Sequence, residues 1–264
     1  MRSGFLSLTL ALLFLPSAWP CAAQDMLRNV DLASPEMTMA DMTRRDVETL
    51  IANAAGKPID LSSRSLNGVD LSGLDLTGAN LRAARLNKAR LTTARLDGAI
   101  LDQVWALGAD LTGASMRGAS LFGTQMQGAT LDAADLTRAR LAGDFTNASL
   151  RKAVLAGADL SPDLKNQSMG LMRAVLKSAR LEGADLRGAN LSRANLEFAH
   201  FSGADFSGAL LVNAEAGGAD FRGASMTNAD VTGMDVNSAW IDTAAAALFA
   251  KAANLERAFQ ASGQ

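Results

Sequence analysis

The chain of 264 residues has one cysteine, one histidine and no tyrosine, and only 5% of it is aromatic. One Cys makes no disulfide framework, and one Cys with one His cannot complete a Cys/His metal cage or most nucleophilic triads. Strong charge of either sign is also missing, since 25 basic and 27 acidic residues leave a net charge of −2. A protein that binds nucleic acid through its phosphates should be clearly basic, and one that imitates DNA clearly acidic. What is present is 48% hydrophobic content drawn from small and aliphatic residues, which suggests a regular, repetitive core. The length suffices for one large domain or two small ones.

Residues 1–23 carry Arg2, an apolar run over 5–15, then Pro16 and small residues ending in Cys21-Ala22-Ala23. That is the order of a secretory signal peptide, and small side chains at Cys21 and Ala23 predict cleavage after Ala23. The apolar run is too short to cross about 30 Å of hydrocarbon, and no later stretch is long enough either. Trp19 and Pro20 are poor residues before a lipid-bearing Cys, which speaks against lipoprotein anchoring at Cys21. Cleavage would remove the only Cys and deliver a periplasmic or secreted protein.

From Leu61 to Ile241 large apolar residues recur every five positions, as in Leu71, Leu76, Leu81, Leu86 and again Leu181, Leu186, Leu191, Leu196, Phe201, Phe206. Ala stands two residues before nearly every one. Ala106, Ala216 and the slot near Asn166 are the exceptions to a large residue at the centre. Five is neither the 3.6 of a helix nor the 2 of a strand. Ala and the following Leu share a side of an extended backbone, but the next Ala comes an odd number of residues later. Both stay inside only if the chain turns a corner in every repeat, and Gly at 73, 78, 98, 113 and 118 fits such corners.

Ala-Asn-Leu at 79–81, 189–191 and 194–196 and Ala-Asp-Leu at 109–111, 134–136 and 184–186 resemble the A-(D/N)-L-x-x unit of the pentapeptide-repeat family. The resemblance implies an all-β solenoid, a right-handed quadrilateral β-helix with four repeats per coil. About nine coils at ~4.8 Å each would make a rod roughly 43 Å long. The expected division is a signal peptide at 1–23, a linker and capping helix at 24–58, the β-helix at 59–242, and a second helix at 243–264.

One residue is missing between Leu141 and Phe145, and Leu171 returns to the original phase. Deletion and insertion therefore cancel on paper, and 161–170 reads as a short bulge. Thr43-Arg44-Arg45-Asp46 resembles a capping box, with Val47, Leu50, Ile51 and Ala54 on one helical face and Gly56 and Pro58 ending the helix. Leu248, Ala252, Leu255 and Phe259 fall at helical spacing near the other end, where the helix would plug the rod or pair with a second copy.

With four repeats per coil, residues 20 apart stack. The columns then read Asp70, Arg90, Asp110; Asp75, Arg95; Arg82, Asp102; Asp97, Arg117; and Lys177, Glu197. Allowing for the phase slip, Arg140, Asp159, Arg180 and Asp144, Lys165, Asp185 follow. Facing opposite charges make these structural ladders. Ile100, Trp105, Leu107 and Phe122 take outward positions on adjoining faces and form the candidate contact patch. Met37, Met39 and Met42 have a spacing suited to Cu(I), although a plain approach to the first cap explains them as well. His200 falls in an outward column.

No catalytic, cofactor-binding or other metal residues emerge. The expectation is an exported, non-enzymatic scaffold that binds a protein partner in the cell envelope, with no nucleic acid bound and a possible homodimer through the C-terminal helix. Two alternatives follow from the family resemblance and the Met motif: a DNA-mimic inhibitor of a topoisomerase, and weak Cu(I) binding. Export and the alternating charge columns oppose the first. A polysaccharide-cleaving β-helix is opposed by the absence of a cleft.

Overall fold

The computed structural model describes Leu27 and residues 30–163 and 172–261. The expected signal peptide and the segment 164–171, including Leu171, lie outside the described residues.

The repeat Asp110-Leu111-Thr112-Gly113-Ala114 shows why five residues make one side of a coil. The Asp110 N–H donates to Ala89 O in the coil below (2.9 Å), while Leu111 and Gly113 donate to Thr130 O and Asp132 O in the coil above (2.7 and 2.9 Å). Ala114 N–H closes the corner onto Leu111 O (3.0 Å). The last donor, Thr112 N–H, is taken by the Asp110 carboxylate at 3.0 Å. All five amides are thus satisfied without a long strand, which is what buried backbone demands. The result is a parallel β-solenoid whose strands are single bridges. Asp60 pairs with Asn80, Arg85 with Trp105, Trp105 with Gln125, and so on at a step of 20 residues.

Inside, every described centre from Leu61 to Ile241 is at most 2% exposed, and Ala fills most of the other inward positions. Phe201, Phe206, Phe221 and Phe249 interlock near the C-terminal end, with ring centroids 5.1 to 5.8 Å apart. They supply bulk in the region where Ala216 takes a centre.

The step shortens to 19 at Gln125↔Asp144 and lengthens to 31 at Asp144↔Val175 and Ser149↔Arg180. This corrects the expectation that the slip and the bulge cancel within the coil. Leu160 N–H reaches Asn190 O and Leu176 N–H reaches Asn195 O, so Leu160 and Leu176 stand on neighbouring sides. Leu176 follows Leu160 by sixteen residues where one repeat takes five, an excess of eleven, which is more than the short bulge the phase suggests.

At the N-terminal end, α1 (Pro35–Thr38) and α2 (Arg44–Asn53) precede the first coil. α2 starts at a capping box in which Thr43 and Asp46 satisfy each other's backbone. Val47 is fully buried in the core, Ile51 and Ala54 pack partly against it, and Leu50 is exposed. Between the helices, Ala40 pairs antiparallel with Leu66, and Arg44 donates to Asp70 O and Ser72 O on the coil edge.

The C-terminal helix expected at 243–264 is not formed. Thr243–Phe249 and Leu255–Arg257 are 3-10 turns, and β2 (Phe259–Ala261) pairs in parallel with β1 (Trp240–Asp242). The open edge of the last coil explains the difference. Gly233, Val236 and Ser238 donate their N–H groups to Lys251 O, Ala253 O and Arg257 O. A straight α-helix would engage those carbonyls within itself and leave the edge donors without partners. The segment therefore continues the winding, turning at Asn254 with φ 59°.

Candidate interaction surfaces

The charged side chains mostly serve the rod. Arg90 meets Asp70 (3.5 Å), Arg95 meets Asp75 (3.1 Å), Arg82 meets Asp102 (3.1 Å), Arg140 meets Asp159 (3.1 Å) and Lys177 meets Glu197 (2.9 Å). Two expected columns are corrected. Arg117 forms its ion pair with Asp135, whereas Asp97 accepts the Arg117 backbone N–H at 3.0 Å. The step of 31 places Asn190 in the column above Asp159, so Arg180 stands over Ser149 and Asp185 over Val154. Lys165 lies outside the described residues.

A second task of the acids was not read from the sequence. Asp60, Asp70, Asp75, Asp135, Asp205 and Asp230 each accept the N–H two residues on, at 2.9 to 3.1 Å, and Asn80, Asn190 and Asn195 do the same at up to 3.2 Å. The preference for Asp or Asn before the central Leu was the available signal, because both types favour such local turns. Hydrogen bonds from the side chain and amide of Ser72 hold the Asp70 carboxyl below its ordinary range, and Thr77 does the same for Asp75. Asp220 is held low chiefly by Arg222, whose guanidinium lies on it at 2.7 and 2.8 Å. These shifts reflect turns and ladders, not a catalytic pair.

The four residues expected as a contact patch are all half-buried. Leu107 lies against a cavity that Leu32 and Met37 of the N-terminal segment also line, and the Arg140 guanidinium sits 5.8 Å from the Phe122 ring centre. Ile100 and Trp105 are bridge residues, paired to Asn80 and Ser120 and to Arg85 and Gln125. Met37 and Met42 are buried while Met39 is 65% exposed, and the Met39 carbonyl is occupied by Ser65 and Asn67. His200 is an exposed rung between Arg180 and Asp220. Among the described residues no three His, Cys, Asp or Glu side chains are grouped as metal ligands.

The large apolar side chains that do face solvent sit toward the ends. Leu32, Met39 and Leu50 belong to the N-terminal segment, and Phe198, Leu210, Trp240, Leu248 and Phe259 to the last coils. Trp240 and Phe259 stack as successive rungs, 4.8 Å between ring centres, with the Arg222 guanidinium 5.3 Å from the Trp240 ring. Phe198 occupies a corner at φ 57°, where Gly is the usual choice, and Lys177 Nζ lies 5.7 Å from its ring.

A wall of five-residue units, most with a large apolar centre and an inward Ala and many with a corner-capping Asp or Asn, defines a parallel solenoid of pentapeptide units. The family model for pentapeptide repeats matches eight copies, over residues 65–103, 108–138, 171–208 and 204–239, more than half of the chain. The chain belongs to the pentapeptide repeat family. It is similar to the crystal structure of HetL, a pentapeptide repeat protein involved in heterocyst differentiation regulation in the cyanobacterium Nostoc sp. strain PCC 7120. The identity is 29%, over 74% of this chain and 97% of that one, at a TM-score of 0.47. Full-length QnrB1, a plasmid-mediated fluoroquinolone resistance protein, is 16% identical over 69% of this chain and 84% of its own, with a TM-score of 0.38. A pentapeptide repeat protein of the Arabidopsis thaliana thylakoid lumen is 21% identical over 70% and 72%, with a TM-score of 0.14. No curated protein sequence matches significantly.

Proposed function

We propose that this chain is an exported, non-enzymatic scaffold that binds a protein partner in the cell envelope after loss of residues 1–23. In this reading the solenoid is a right-handed, four-sided β-helix of about nine coils, closed at its N-terminal end by α2. The observation that carries the reading is the exposed Trp240–Phe259 stack on the last coils, set against a core whose centres are sealed from solvent. Aromatic side chains left at a surface are the usual anchors of protein contacts. We also infer that a second copy can meet this end, through the free edge of β2 and not through the helix expected from sequence; β2 pairs only with β1 among the described residues.

Residues 181–242 hold nine acidic side chains against three arginines, but this excess does not favour a DNA mimic, since Arg187 and Arg222 lie on Asp185 and Asp220 at 2.6 and 2.7 Å and break any uniform negative face. Nor is a Cu(I) role favoured, because two of the three thioethers are enclosed.

The test is cross-linking of the tagged protein in its own envelope, followed by mass spectrometry. Replacing Trp240 and Phe259 by Ser should remove a specific cross-linked protein that survives replacement of Trp105 and Phe122. The opposite pattern would move the contact to the middle of the rod. Sedimentation of the purified protein at rising concentration tests self-pairing, and fractionation with N-terminal sequencing beginning at Gln24 tests export.

A further inference from the structure

The N-terminal segment crosses one corner of the first coils and is held there by two stacked amides. Asn67 Nδ2 donates to Glu36 O and Met39 O (both 3.1 Å), and Asn87 Nδ2 donates to Met37 O (3.1 Å). The Asn67 oxygen takes the Asn87 N–H and the Asn87 oxygen takes the Leu107 N–H, at 2.9 and 3.0 Å. Both amides are therefore spent on the backbone. Between this strap and the corner lies a cavity of about 340 Å³ whose apolar walls are Leu32, Met37 and Leu107. Thr38, which also lines the cavity, donates its hydroxyl proton to Ser34 O (2.9 Å).

Lys88 also lines the cavity. Its neighbours Arg85, Arg90 and Arg82 have acids, in Glu36, Asp70 and Asp102, but no carboxylate lies within ion-pair distance of the Lys88 ammonium among the described residues. It sits at a corner with φ 56°, a position where Gly stands directly below at Gly68. An apolar hollow with its internal polar groups satisfied and one exposed cation without an acidic partner, Lys88, at its rim suits a ligand with an apolar body and a single anionic head.

We propose that this cavity binds a single-chain anionic amphiphile, with the carboxylate of a medium-length acyl chain on Lys88 and the chain against Leu32, Met37 and Leu107. The volume is at the low end of ligand pockets, about 300–1,000 Å³, and suits one chain, not a two-chain lipid. This site is separate from the C-terminal contact surface and does not depend on it.

Titration calorimetry of the purified protein with decanoate, octanoate and decanol tests it. Decanoate should bind one per chain with a Kd below about 1 mM, several-fold tighter than decanol. Each added methylene should tighten binding by roughly fourfold. Lys88→Gly, which suits the corner backbone, should abolish the preference for decanoate over decanol, and Lys88→Arg should keep it. Leu107→Gln should weaken both ligands. Absence of saturable decanoate binding up to that concentration would overturn the proposal, as would an unchanged carboxylate preference in Lys88→Gly with melting intact.

Discussion

Arg173 reaches across two coils to grip Glu215 through a two-pronged ion pair, Nη1 to Oε1 at 2.6 Å and Nη2 to Oε2 at 2.7 Å. On the way Nη1 also donates to Arg193 O at 3.1 Å. Arg173 lies two residues before Val175, the bridge residue that ends the step of 31 from Asp144. A forked charge-assisted pair fixes direction as well as position. Its side chain is only 16% exposed, so water screens it less than an ordinary surface pair. Glu215→Gln keeps the size and loses the charge. It should cost about 1–2 kcal/mol in urea unfolding, whereas Glu197→Gln, whose Lys177 pair is more exposed, should cost well under about 1 kcal/mol.

Gly143 stands where the chain drops one residue. A methyl group there would collide with the Thr124 hydroxyl and lie 2.8 Å from the Thr124 carbonyl. Gly143→Ala should destabilise by about 1–3 kcal/mol. Adding Thr124→Ala should return only part of that in thermal melts, because the backbone carbonyl stays in the way.

Phe198 covers Gly218 closely enough that an added methyl at 218 would overlap its ring. Both residues have left-handed backbone, which costs a non-glycine residue about 1 kcal/mol or more. Phe198→Gly should therefore melt no lower than the parent. Gly218→Ala should be more damaging in the parent than in the Phe198→Gly background, with a coupling of at least about 0.5 kcal/mol by double-mutant cycle.

Acid should loosen the corners. Asp70, Asp75, Asp135, Asp185 and Asp220 all have carboxyls held below their ordinary value in the folded chain. A carboxyl with a depressed folded value adds stability that is present above about pH 3.9, the unfolded value, and is lost as pH falls through the folded one. The melting temperature should stay level between about pH 7 and 5 and drop below about pH 4. Asp75→Asn retains an oxygen for the Thr77 N–H, as Asn190 does for Ser192. It should keep the fold at neutral pH and make the acid limb shallower.

The period of five and the inward Leu and Ala were legible because they recur over many residues with few exceptions, such as Ala106 and Ala216, and the capping box at Thr43 because it is a purely local rule. The vertical step of 20 was implied by the family resemblance, and facing charges such as Asp75 and Arg95 agree with it. The lengthened step after Leu160 was not legible as such. One residue lost before Phe145 and eleven gained before Leu176 sum to a multiple of five, so phase alone reads the extra residues as two further repeats. At 243–264 the Ala run and the helical spacing of Leu248, Ala252 and Leu255 were genuine helix signals. They were overridden by edge donors such as Val236 N–H. The degree of exposure of the contact patch was not legible: an outward position is only half-exposed when an N-terminal strap, as at Leu107, or a neighbouring Arg, as at Phe122, lies against it.

The hydrogen bonds of Asp110 to Ala114 run only to the coil directly below, the coil directly above, or the repeat itself. Length is then an adjustable dimension of this molecule. Splicing in a second copy of residues 101–120 should add one storey of about 4.8 Å without altering any existing column, so that the distance between the strapped end and the Trp240 end could be set, and read, like marks on a ruler.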